Sequence, residues 1–192
     1  GGQSYAGFLR NIRKEALVNV SEAERKSLAA TVAPPAVKLD TLPKPKGPGQ
    51  EWTVGQVVQA TRGGLSGRNF ANGQRTYQAA RCGACHRFDG AGGATGPDLS
   101  NVAGRFSVKD LAESLIVPSK VVSDQYRASV VLTTAGKVVT GRIVNDTKGT
   151  LTVLTDAFDA SKITTVPAGK VEETQPSKTS LMPEKLLHPL GK

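Results

Sequence analysis

The sequence predicts an α+β chain: a mainly helical domain carrying a small antiparallel β-rich insert and preceded by an N-terminal helical segment. Three observations predict it. Apolar residues recur at helical spacing over residues 5–18 and 69–81. A block at about 126–175, rich in Val and Thr, breaks into five short runs separated by turn residues. Between the first helical segment and the rest, residues 33–50 hold five prolines and three lysines with little apolar content. That composition predicts an extended linker. The expected organisation is therefore a helical segment at 1–32, a linker at 33–50 and a main domain at 51–192, which contains the insert.

Taken in order, Tyr5, Phe8, Leu9, Ile12, Ala16 and Leu17 lie on one stripe of a helix. Ser21 followed by Glu24 has the form of a capping box and predicts a second short helix to about Ala30. This pair either packs on the main domain or ends a preceding one. After the linker, Thr53 is positioned to cap a short helix through Ala60, and a glycine-rich loop follows at 63–67. Over 69–81, Phe70, Gly73, Tyr77 and Ala80 fall near one helical face. Gly73 would admit a second helix at close range, although ordinary amphipathic packing gives the same spacing. Ser107 predicts the start of a helix that Pro118 stops. Strands are expected at 130–133, 138–144, 151–155, 162–166 and 170–173, with a turn at 145–149. Five short strands at this spacing suggest a small barrel or rolled sheet. They offer no catalytic set, so the insert is read as structural or as a docking surface.

The chemistry lies in Cys82-Gly83-Ala84-Cys85-His86. Cys-x-x-Cys-His is the attachment signature of a c-type haem. Each thiol can add to one porphyrin vinyl group, and His86 is then held where its imidazole can ligate the iron. The chain has two cysteines, both in this motif, so none is left for a structural disulfide. A redox dithiol is the first alternative, but such pairs open a helix after a strand. A zinc site is the second. It would need Cys82, Cys85, His86 and His188 together, and adjacent Cys85 and His86 could hardly both face one small ion. The chain's one methionine, Met182, precedes Pro183 and so stands in extended or turn backbone, as a ligand delivered by a loop requires. Its alternative is core filling, and His188 is the rival sixth ligand. Downstream of His86, a Gly-rich loop ends in Gly96-Pro97-Asp98-Leu99. The Pro97 carbonyl is the candidate acceptor for the second ring nitrogen of His86, which would fix the ring and raise its basicity. Leu99 is expected at the porphyrin edge, and Tyr77 and Phe88 are further pocket candidates. Arg105 is a candidate propionate partner or an ordinary surface charge.

Aromatic residues are 5% of the chain and glycines number 21. A haem, being large, flat and apolar, would supply core that the side chains do not. The net charge is +9, which favours an acidic redox partner or a merely solvated basic surface. Nucleic acid is not expected, because the basic residues are scattered and no stacking aromatics accompany them. No run reaches the length of a membrane-spanning helix. The start at Gly1-Gly2 and the attachment motif together suggest a piece of a longer polypeptide exported to the bacterial periplasm.

Together these pieces resemble the haem-binding cytochrome c domain described mainly from planctomycetes and related bacteria. The likeness rests on Cys82 to Phe88, Gly96-Pro97-Asp98-Leu99, Gly104-Arg105-Phe106, Pro118-Ser119-Lys120, Gly136-Lys137 with Gly141, and Ser180-Leu181-Met182-Pro183. It covers about residues 70–187. The resemblance implies one covalent haem c on Cys82 and Cys85, axial ligands His86 and Met182, and a β-rich insert before the Met loop. It implies a single-electron carrier, not an enzyme, within a larger redox protein. A five-coordinate haem enzyme, a gas or peroxide sensor, and an interaction module with a structural haem are the alternatives. Such domains usually close with a helix that crosses the first one at the Gly73 position, and the sequence stops before such a helix. Either the chain is truncated there, or the helical pair over residues 5–30 covers that face.

Overall fold

The computed structural model describes residues 20–24, 26, 39–64, 66–147 and 149–191. The chain divides into two compact units, Gly1–Pro35 and Ala36–Lys192. In the first, Ser21 and Glu24 cap each other. The Ser21 backbone N–H donates to the Glu24 carboxylate at 2.9 Å, and the Glu24 N–H donates to Ser21 Oγ at 3.3 Å. The helix predicted over 5–18 and the far end of the second lie outside the described residues, and with them the proposed cover for Gly73.

The second unit begins with one 3₁₀ turn, Leu39–Thr41, in the stretch predicted as a linker. The end of that stretch is tied to the C-terminal segment. The Gln50 N–H donates to the His188 carbonyl at 2.9 Å, and the half-buried Trp52 indole N–H donates to the Leu190 carbonyl at 2.9 Å. An indole N–H taken out of water needs such an acceptor. Helix α1 (Val54–Ala60) starts in a capping box between Thr53 and Gln56, and α2 (Phe70–Ala79) starts on the side chain of Asn69. After the one-turn helix α3 (Cys82–Cys85) come the short strands β1 (Arg87–Phe88) and β2 (Ala91–Gly92). Helix α4 (Val108–Ile116) opens on a second capping box, Ser107 with Asp110, and packs against α1. The starts of α1, α2 and α4 each carry a side-chain oxygen for an orphan N–H, and this is why they match the sequence.

Five strands follow: β3 (Ser129–Thr133), β4 (Val138–Thr147), β5 (Thr150–Leu154), β6 (Ile163–Pro167) and β7 (Val171–Pro176). They form one antiparallel sheet in the order β6-β5-β4-β3-β7. With β6 and β7 at its edges the sheet is open, so of the two expected forms the barrel does not hold and an antiparallel sheet remains. The turn predicted at 145–149 is also shorter. β4 runs on to Thr147 because residues 145–147 keep pairing with 150–152, and the chain reverses at Gly149, whose φ of +99° suits glycine. The first part of β4 pairs with β3 and the second with β5, across an irregularity between Ile143 and Asn145.

The two parts of this unit are packed unequally. The sheet has a core of Val131, Val139, Leu151, Val153 and Val166, with Ile143 and Val171 against it. In the described residues 39–128 the fully buried apolar side chains are Ala80, Ala84, Ala112 and Ala128, with Pro118 beside them. Larger apolar side chains there stay exposed, Phe70 at 71% and Val121 at 83%. The Val131 side chain is fully enclosed, so Val131→Ala should lower stability by about 2 kcal/mol, roughly 4–8 °C in melting temperature. Val121→Ala should leave it within about 0.5 kcal/mol. Thermal unfolding followed by circular dichroism separates the two.

Candidate functional site

The site is built where α2 stops. The sequence predicts helix up to residue 81, but α2 ends at Ala79, and Arg81 adopts a left-handed φ of 63°. That residue breaks the helical path and starts α3 afresh. Within α3 the two cysteines are three residues apart on one turn, which places them on the same side. His86 then leaves in extended conformation, its N–H still donating to the Cys82 carbonyl at 2.9 Å.

His86 Nδ1 lies 2.8 Å from the Pro97 carbonyl. A carbonyl only accepts, so this contact assigns the proton to Nδ1 and leaves the Nε2 lone pair free for a metal. The Gly-rich loop is held against α3 by Gly93 N–H to Gly83 carbonyl (2.9 Å) and Gly96 N–H to Cys85 carbonyl (2.8 Å). Close approach explains one of its glycines: a Cβ on Gly96 would lie 2.7 Å from His86 Cε1. Tyr77 donates its hydroxyl to the His86 carbonyl at 3.1 Å, and its ring meets Phe88 at a centroid distance of 6.2 Å. Burial first, then the nearby Cys82, Asp98 and Cys85, pushes the Tyr77 hydroxyl up to about 12, so it remains a donor at neutral pH. Leu99 is half-buried and joins the site through its N–H, which donates to the Arg87 carbonyl at 2.8 Å.

Arg105 is exposed. Met182 is half-buried in the C-terminal segment, its N–H donating to Ser180 Oγ at 3.1 Å, while Ser180 N–H donates to Ser119 Oγ at 3.1 Å. His188 is engaged through its carbonyl with Gln50. Among the described residues no three His, Cys, Asp or Glu side chains gather as around a metal ion, so the four-ligand set that zinc needs is not assembled. Nor does a second helix cross α2 among them: a Cβ on Gly73 would meet nothing within 4 Å.

Sequence reasoning missed two residues. Cys85 Sγ donates to the Ala157 carbonyl at 3.1 Å, and Thr95 donates its hydroxyl to the same carbonyl. These partners are 72 and 62 residues apart in sequence, so no local signal could have found them.

Both thiols are unpaired. Burial pushes the Cys82 thiol up to about 11, with Cys85 adding to the rise. Burial also raises Cys85, where the Thr95 hydroxyl opposes the rise and Asp156 adds to it. A redox dithiol needs a lowered thiol, so this environment is the wrong one for it. The residues do fit a covalently held haem. They offer two free thiols on one turn, an imidazole with Nε2 open, and a helical part without a sizeable core of its own.

Residues 70–129 match the family model for cytochrome c. The match supports a c-type cytochrome haem domain, and it runs from the first residue of α2 to the first residue of β3. No curated protein matches the chain.

Two predictions follow from the geometry. In haem-free protein, Cys82 should resist alkylation by iodoacetamide until the pH nears 11, whereas in urea its rate should rise near the ordinary 9.0. The raised pKa keeps the folded thiol neutral between those values, and a rate rising near 9 in both states would contradict it. Gly96→Ala should force its methyl against the imidazole, break the His86–Pro97 contact and cost about 1–3 kcal/mol in urea unfolding.

Proposed function

We propose that the chain is an exported monohaem c-type cytochrome of the planctomycete type, carrying single electrons as part of a larger redox protein. Cys82 and Cys85 hold the haem, and His86 and Met182 are its axial ligands. The observation that carries this reading is the His86–Pro97 contact at 2.8 Å, which prepares Nε2 beside two free thiols on one turn. A bound haem supplies the one-electron couple, while the protein supplies orientation and electrostatics.

Each residue has its part. The Pro97 carbonyl keeps the proton on Nδ1 and stiffens the ring. Tyr77 holds the His86 carbonyl while packing with Phe88, so the strand after the motif cannot swing away. Leu99 keeps its loop on Arg87. Met182 sits in a segment pinned to Ser119 through the Ser180 N–H, and a pinned loop can deliver a thioether at a fixed place. A Met ligand raises the reduction potential of a buried haem. The sheet is read as the insert that precedes the Met loop, since the segment similar to cytochrome c ends where β3 begins.

Charge distribution supports an acidic redox partner. Residues 52–109 carry seven Lys or Arg against two Asp, a net +5, whereas residues 129–176 carry five of each sign. The basic excess is thus concentrated in the part that bears the attachment motif. It would steer an acidic surface there, with association rates falling as salt rises. Export follows from the attachment chemistry. No helix among the described residues is long and apolar enough to cross a membrane.

The test is the absorption spectrum of oxidised and reduced haem-loaded protein, with Met182→Ala alongside. A weak near-infrared Met-to-iron band in the parent, absent in the variant, is the expected result. A high-spin parent that shifts on adding cyanide or carbon monoxide would replace the carrier reading with a five-coordinate enzyme or sensor. A redox-inert haem beside a ligand-binding sheet would replace it with an interaction module.

A further inference from the structure

Two separate segments meet at Cys85. The turn between β5 and β6 brings the Ala157 carbonyl to 3.1 Å from Sγ, which donates its S–H. Thr95, from the Gly-rich loop, donates its hydroxyl to the same carbonyl and lies 3.5 Å from the Cys85 carbonyl. Asp156, the neighbour of Ala157, accepts the Phe158 N–H through Oδ1 at 2.8 Å and so closes the turn on itself.

We propose that the Asp156–Phe158 turn of the sheet is part of the haem site, with Thr95 as the positioning residue that holds it against Cys85. The inference rests on the haem reading above and assigns the sheet a role in that site. Addition of the Cys85 thiol across a vinyl group breaks the S–H bond and the C=C π bond, and forms one C–S and one C–H bond. No oxidant or reductant is needed. The sulfur that donated to Ala157 then has no proton, and the Thr95 hydroxyl is left as the donor to that carbonyl. Thr95 therefore keeps the turn in place after attachment removes the other hydrogen bond. With the turn held there, a haem attached at Cys85 would have the Asp156 charge beside it, one residue from the carbonyl that meets Sγ. Oxidation adds a positive charge to the haem, so a nearby carboxylate favours the ferric state and lowers the potential.

The experiment uses the full chain expressed with a bacterial haem-attachment system, as parent, Asp156→Asn, Thr95→Val and Thr95→Ser. Intact mass first establishes covalent haem in the parent; a parent without it overturns the haem reading and this inference with it. Asp156→Asn keeps the Oδ1 acceptor for Phe158 and removes only the charge. It should raise the reduction potential, shifting the redox equilibrium against a mediator dye by about threefold or more. Thr95→Val should speed amide hydrogen exchange across residues 156–158 and move the potential, and Thr95→Ser should restore both. With covalent haem present, a parental potential in Asp156→Asn, or parental exchange in Thr95→Val, would overturn the proposal.

Discussion

Among the described residues 39–128, no apolar side chain larger than proline is fully buried. Apolar burial is the main favourable term in folding, and a few alanines supply little of it. The sheet that follows has five buried Val and Leu residues in one cluster. The helices therefore depend on something besides their own side chains to close them. The haem proposed on α3 would answer that need, being a large apolar body.

The same constraint explains why the loop after His86 is so tightly specified. With little core to lean on, the motif is held by backbone hydrogen bonds: Gly93 to Gly83, Gly96 to Cys85, Leu99 to Arg87. Side-chain bulk would prevent these approaches, which is clearest at Gly96, whose Cβ would collide with the His86 ring. The result is an imidazole whose tautomer and orientation are set by the protein in advance of any metal. Raised thiol pKa values belong to the same picture, since the cysteines sit in a part-buried pocket with no cation to draw out the thiolate.

The sheet is tied to that pocket as well as packed on its own core. Cys85 and Thr95 share the Ala157 carbonyl, and the Ser177 N–H donates to the Ala128 carbonyl at the start of β3. Ser180 reaches Ser119. These contacts run between segments far apart in sequence, so the attachment motif, the sheet and the Met-bearing segment are mechanically linked. Such linkage is the basis of the proposal that a charge on a β-turn acts on a haem held at α3.

Residue order by itself determined the features whose causes are local. Thr53, Asn69 and Ser107 each carry the oxygen that begins a helix, and those three starts are where the structure has them. Val and Thr runs determined five strands, and the Cys-x-x-Cys-His string together with Gly-Pro located the chemistry. Tertiary structure decided whatever depends on partners distant in sequence. It ended α2 at Ala79 through the left-handed Arg81 and extended β4 to Thr147 by pairing with β5. It left the sheet open at β6 and β7 and tied residues 50 and 52 to the C-terminal segment. It also brought Ala157 to Cys85. Capping and alternation are satisfied within a few residues, so they can be read from order. Where a strand stops pairing, or which carbonyl meets a given sulfur, depends on how separate segments pack, and that packing exists only in the folded chain.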